Sequence, residues 1–151
     1  MVCISDPPPG QILARGVQRA LAGHGFASVV EMPLKGRLRA DVMALGAKGE
    51  VWIVECKSSR ADFQADRKWQ GYLEGCDRYF WAVDTAFPQE VLPDDTGIIL
   101  ADGFGAEIVR EAVYAPLAPA RRKVLTLDFA RRAATRLHGV LDPRPPFDTR
   151  R

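Results

Sequence analysis

Asp41 stands in one apolar segment and, fourteen residues on, Glu55-Cys56-Lys57 closes another. The second segment reads Val51-Trp52-Ile53-Val54-Glu55-Cys56-Lys57, apolar on both faces until it meets two opposite charges. In a strand, alternate side chains share a face, so Glu55 and Lys57 point one way and Cys56 the other. A strand this apolar belongs in a protein interior, where unpaired charge is strongly disfavoured. A hydrated divalent cation is the natural partner for such acids. Mg²⁺ or Mn²⁺ takes one or two carboxylates and keeps its remaining positions for water and phosphate oxygens. The backbone carbonyl of Cys56 offers a third oxygen. Lys57 is placed to hold an attacking water and to offset charge on a phosphate. Asp41, Glu55 and Lys57 together have the chemistry of a phosphodiesterase centre.

Bringing Asp41 to Glu55 requires a hairpin. Leu38 to Leu45 and Glu50 to Lys57 are joined by Gly46-Ala47-Lys48-Gly49, a short Gly-flanked connection between apolar runs. Folding about Ala47-Lys48 sets Asp41 almost opposite Glu55, where paired residues on one face lie about 5 Å apart at Cβ. Strict alternation in the first run puts Leu38, Ala40, Val42 and Ala44 on one face and Arg39, Asp41 and Met43 on the other.

The remaining pattern frames this hairpin. Leu13, Val17, Ala20 and Leu21 predict a helix over 10–23, stopped by Gly23-His24-Gly25. A strand follows from Phe26 to Leu34. Residues 60–74 read as one helix, with Ser58 or Ser59 as N-cap. Cys76 to Val83 reads as a strand, 87–96 as a loop, and Ile98–Ala101 with Glu107–Val113 as a second hairpin around Asp102-Gly103-Phe104-Gly105. After a Pro/Ala linker over 115–120, a basic helix spans 125–141, with an apolar stripe of Leu127, Ala130, Ala134, Leu137 and Val140/Leu141. The order gives a mixed α/β domain over 10–141, a central sheet flanked by helices, between flexible ends at 1–9 and 142–151.

Composition bounds the rest. The 151 residues are 47% hydrophobic and 26% charged, ordinary for one globular domain and unlike a disordered or membrane chain. The start lacks the basic and apolar regions of a signal peptide, so a cytoplasmic location is expected and a membrane partner is not. Three cysteines without a CxxC pair fit neither a disulfide framework nor structural zinc. The net charge of +2 conceals segregation: 8 basic against 5 acidic residues over 1–60, 4 against 11 over 61–115, and 9 against 3 over 116–151, hence +3, −7 and +6. If the two basic ends meet, they form a face for phosphates.

At this point the residues resemble a known group. A helix, an Asp on the second strand, Glu-x-Lys on the third and a following helix look like the PD-(D/E)xK nuclease superfamily. Arg39-Ala40-Asp41, Trp52 to Ser59, Asp62-Phe63, Lys68-Trp69, Ile99 to Gly103 and Ala120 to Lys123 are similar to the MmcB-type bacterial DNA repair proteins over roughly residues 10–140. The resemblance implies a restriction-endonuclease-like core with an added hairpin and C-terminal helix, Mg²⁺ or Mn²⁺ as cofactor, and DNA as substrate. It implies Asp41 and Glu55 as metal ligands and Lys57 as the catalytic lysine. The chain departs from the pattern in two places. Ala40 precedes the first acid where proline is common, and the first helix carries Gln11 and Gln18 but no glutamate, leaving Glu31 as the substitute.

Lys35, Arg37 and Arg39 suit phosphate contacts beside Asp41, and Ser58 and Lys68 flank the site. Trp69 has two readings, a base-stacking surface or a core residue. Arg121, Arg122 and Lys123 either neutralise DNA or simply begin the last helix. The leading expectation is a metal-dependent DNA endonuclease in repair, directed by structure or damage because no separate base-reading module is evident. The alternatives are a non-cleaving DNA-binding accessory protein of the same fold and a related enzyme on RNA. A double-strand cut from one site per chain requires a homodimer, and other repair proteins are the remaining expected partners.

Overall fold

A computed structural model describes residues 5–144. Of the expected flexible ends, residues 1–4 and 145–151 lie outside the described residues. The N-terminal helix α1 (Pro9–Gly23) starts with proline in its first turn, where a missing N–H leaves no bond unmade. It is followed by β1 (Ala27–Pro33), β2 (Arg39–Leu45), β3 (Val51–Cys56), a short α2 (Arg60–Ala65), β4 (Arg78–Val83), β5 (Gly97–Ala101), β6 (Ala106–Arg110) and α3 (Pro119–Leu141). The six strands form one sheet in chain order. The β1–β2, β2–β3 and β5–β6 pairs are antiparallel, while β3–β4 and β4–β5 are parallel. The mixed α/β architecture matches the sequence reading. No helix among the described residues is long and apolar enough to cross a membrane.

The sheet carries apolar packing on both faces. Leu13, Val17 and Leu21 of α1 pack with Val42, Ala44, Trp52, Val54, Phe80 and Ile99 on one face. Leu125 and Phe129 of α3 join Met43, Ile53, Trp81 and Ile98 on the other. The close seat of α1 depends on Gly16, where an added Cβ would stand 1.8 Å from the Asp102 carbonyl oxygen. The central strand β3 is buried at every position, as its uninterrupted apolar run predicts.

Three local expectations are corrected. The alternation of β2 breaks at Asp41: Ala40 packs on the α3 face with Met43, while Val42 and Ala44 pack on the α1 face. In β1, flanking pairs Val30↔Val42 and Met32↔Ala40 bracket Glu31, whose φ of 50° is left-handed. That backbone reversal in one strand, facing Asp41 in the next, resets the parity of both.

The single helix expected over 60–74 is interrupted. α2 ends at Ala65, and a 3₁₀ helix runs from Trp69 to Gly75. Asp66 sits in the break with its carboxylate drawn to Lys57, and Gly71 packs where a Cβ would come within 2.8 Å of Leu38.

The apolar stripe expected to bury α3 is exposed instead. Leu127, Ala130, Ala134, Leu137, Val140 and Leu141 all face solvent, and the docked stripe is Leu125 and Phe129 with half-buried Ala133. The helix also begins earlier than expected, at Pro119.

Candidate active site

The β2–β3 hairpin has the register the sequence implies: Leu45↔Val51 through Val42↔Val54, which puts Asp41 across from Glu55. Beyond Val42 the backbone ladder stops and side chains replace it. The Asp41 amide donates to Glu55 Oε1 at 2.9 Å, and the Cys56 amide donates to Asp41 Oδ2 at 2.8 Å. Each acid is thus latched to the other strand's backbone, which fixes both carboxylates at the mouth of the hairpin.

Glu55 is only 4% exposed. Burial, and then the charge of Asp41, push its carboxyl up to about 9. Burial also raises Asp41, against the opposing pull of the Cys56 amide and Lys57. Asp41 raises Glu55, whereas the hydrogen bond with Glu55 lowers Asp41, so Glu55 is the carboxyl that keeps its proton at neutral pH.

Lys57 follows on the Glu55 face of the strand. Its ammonium lies 2.8 Å from an Asp66 carboxylate oxygen, 4.0 Å from Asp62 and 6.0 Å over the ring of Trp81. Burial alone pulls the Lys57 pKa down, but Asp66 and Asp62 more than offset this and the net shift is upward. Lys57 is therefore a fixed positive charge and not a proton acceptor at neutral pH. Asp66 and Asp62 were not singled out from the sequence as parts of the site. Their trace there is an acid pair four residues apart, directly after the lysine.

Other expected participants fall in different places. The Cys56 thiol is buried, packed with the residues that face α1, and its pKa is held up by burial. The Cys56 carbonyl lies at the strand end between Glu55 and Lys57. Glu31 is exposed, 3.9 Å from Arg39, and lines the same groove as Asp41. Arg136 of α3 donates to the Val30 and Glu31 carbonyls, bracing the left-handed kink. Among the described residues no group of three or more His, Cys, Asp or Glu is arranged to hold a metal ion. The donor set is two carboxylates, which suits a cation that completes its shell with water and phosphate.

Lys35 and Arg37 occupy the exposed turn between β1 and β2, and Arg39 opens β2 with its side chain 62% exposed. Ser58 and Lys68 are exposed on the segment after Lys57. Trp69 lies 5.4 Å from Trp81 and 5.7 Å from Tyr79, ring to ring, and packs against the core, so its stacking partners are internal. Tyr72, buried beside it, donates its hydroxyl to the Arg39 carbonyl and ties the 3₁₀ helix to β2. Arg122 is engaged by Asp77 and by the Gly49 carbonyl at the opposite end of β3, about 13 Å from Glu55 along the strand. Arg121 lines a groove with Lys35 and Leu38, and Lys123 is exposed.

A groove of about 690 Å³ opens onto Asp41 between α1 and the β1–β2 edge. Gln11, Arg15 and Gln18 line it together with Glu31 and Arg39. The two glutamines noted in the sequence for not being glutamate thus lie beside the first acid. Gln18 is held by Ser28, to whose hydroxyl its amide donates at 3.0 Å.

A family model described as DNA repair protein MmcB-like matches residues 8–144. No curated protein matches the chain. Among solved structures, a protein of unknown function from Silicibacter pomeroyi is 61% identical, covers 95% of this chain and 100% of its own, and superposes with a TM-score of 0.89.

Proposed function

This chain belongs to the MmcB-like family of DNA repair proteins, and from that premise we propose that it is a metal-dependent DNA endonuclease of the PD-(D/E)xK type with a restriction-endonuclease-like core. The observation that carries this reading is the latched pair of half-buried Asp41 and buried Glu55, with no basic side chain among the described residues hydrogen-bonded to either. A purely structural site has little reason to set one carboxyl against another and to bury Glu55 where its ionisation is disfavoured. Asp41 and Glu55, with the Cys56 carbonyl, would hold Mg²⁺ or Mn²⁺, which when bound supplies Lewis acidity toward a phosphate oxygen.

The chain's own groups account for the rest. Lys57, kept protonated by Asp66, places positive charge where the phosphate gains negative charge as water adds and the sugar oxygen departs. The amide latches preorganise both acids, so little rearrangement accompanies binding. Lys35, Arg37 and Arg39 bind backbone phosphates next to Asp41. Because such contacts carry no base information, the preference is for DNA structure or damage over sequence.

One observation favours a second reading, a DNA-binding accessory protein that does not cut. Lys57 makes its shortest ion pair with Asp66 and not with the latched acids. Cleavage of labelled duplex, flapped, nicked and junction DNA in Mn²⁺ or Mg²⁺ separates the two. The nuclease reading expects at least one substrate to be cut, with the rate falling about 100-fold or more in Asp41→Ala and Lys57→Ala. No cutting by the parent protein, with DNA binding retained in all three, leaves the accessory reading standing.

A further inference from the structure

Helix α3 divides its arginines between two tasks. Arg122 is taken up by Asp77, and Arg136 donates to the Val30 and Glu31 carbonyls, so the helix is tied down near both ends. Arg131 and Arg132 are exposed and Arg121 half-buried, and none of the three is hydrogen-bonded or ion-paired among the described residues. All three lie on the flank of α3 that is turned toward the end of β1. Arg131 and Arg132 share a groove of about 400 Å³ with Met32 and Pro33. Arg121 shares a second, of about 520 Å³, with Lys35. The two basic ends of the chain therefore meet at the β1–β2 turn, which carries Lys35 and Arg37 and leads into Arg39.

The charges of this face favour a polyanion. Its acids are Glu31, Asp41, Glu74, Asp128 and, at the helix end, Asp142, with His138 beside it counted as neutral. Seven cations outweigh these five acids: the six named at the grooves and turn, and Arg136. Five of the seven are without a partner among the described residues, whereas Glu31 already faces Arg39. Arg121 to Arg131 spans about 15 Å of helix, over which one strand of a duplex presents about four phosphates. The cations are also continuous with the latched acids, because Arg39 lines the groove that opens onto Asp41. We infer that this flank of α3, through Arg121, Arg131 and Arg132, is a second phosphate-binding surface that grips duplex DNA beside the latched acids. It rests on DNA being the partner, a premise shared by the cutting and non-cutting readings above.

The test is the fluorescence anisotropy of a labelled duplex of about 20 base pairs, titrated with the full chain in a chelator at about 50 to 200 mM NaCl, so that binding is read apart from cutting. Arg131→Ala with Arg132→Ala is expected to weaken binding about tenfold or more and to flatten the dependence of log affinity on log salt by about two. The thermal midpoint should hold, because both side chains are exposed and unpartnered in the free protein. Arg131→Lys with Arg132→Lys should keep most of the affinity. Lys48→Glu makes the same change in net charge in the turn at the other end of the hairpin, and should cost less than about threefold. Undiminished binding by the double alanine variant, or an equal loss in Lys48→Glu, would overturn the inference and leave DNA as the partner. No binding by the parent would overturn the inference and the DNA reading together. Polyglutamate that displaces the duplex at equal charge concentration would overturn it in favour of an acidic protein.

Discussion

Replacing Glu55 by glutamine is expected to stabilise the protein in the absence of divalent cations, by on the order of 3 kcal/mol at pH 7. The ordinary carboxyl value is 4.5 and the folded value is raised to about 9. Between those values the folded chain holds a proton that the unfolded chain has released. Stability is therefore fully present below pH 4.5 and declines as pH rises toward 9, by at most about 1.4 kcal/mol per unit. Asp41, also raised, acts in the same sense. Glutamine keeps an oxygen to accept the Asp41 amide and has no proton to lose. Denaturant unfolding in a chelator at pH 5, 7 and 9 should show a declining parent and a much flatter Glu55→Gln variant. Parallel pH profiles for the two would remove the claim that this acid is held against its own ionisation. A site that gains stability when its acid is removed has been selected for something other than stability.

The second large effect concerns Asp77, where the sign is opposite. Its buried carboxylate accepts the Val51 and Leu117 amides at 2.8 Å each and both Arg122 guanidinium nitrogens at 2.7 and 2.6 Å. One side chain thereby joins the start of β3, the segment before α3 and α3 itself. Asp77→Ala leaves two amides and a guanidinium without their acceptor, and is expected to destabilise by about 3–5 kcal/mol. Burial alone would raise the Asp77 pKa, but Arg122 and the two amides hold it below 3.8. Its contribution is present above pH 3.8 and lost as pH falls through the lowered folded value. Acid unfolding of the parent should be steep in that range, and Asp77→Ala should lack that component. A loss under 1 kcal/mol would mean that α3 is held by its docked Leu125 and Phe129 and by Arg136, without need of Asp77.

The contrast between these two acids also shows what the sequence made legible. The Gly46–Gly49 turn and the apolar runs beside it fixed the pairing of Asp41 with Glu55. The unbroken run from Val51 placed Glu55 and Lys57 together. Both are local properties, read within twenty residues. Asp77 was not recognised, because its partner Arg122 lies 45 positions away. The left-handed backbone at Glu31 was equally invisible, since nothing in a glutamate announces it and Arg136, which braces it, comes from α3. The apolar spacing of Phe63, Trp69 and Leu73 suggests one regular helix over 60–74, but α2 ends at Ala65 and Asp66, in the break, pairs with Lys57. In α3 the sequence held two usable stripes, and only packing against the sheet decided that Leu125 and Phe129 would be buried. Lys57 was legible as a participant, while its protonation state was not, because Asp62 and Asp66 set it.

The central claim is that the latched acids at the mouth of the β2–β3 hairpin are there to receive a divalent cation. Calorimetric titration of the full chain with Mn²⁺, in two buffers of different ionisation enthalpy, tests it most directly. The account predicts one site per chain, about one proton released per cation near pH 7, affinity that rises with pH, and loss of binding in Asp41→Asn. Absence of binding up to millimolar Mn²⁺, or binding that releases no proton and survives Asp41→Asn unchanged, would contradict it.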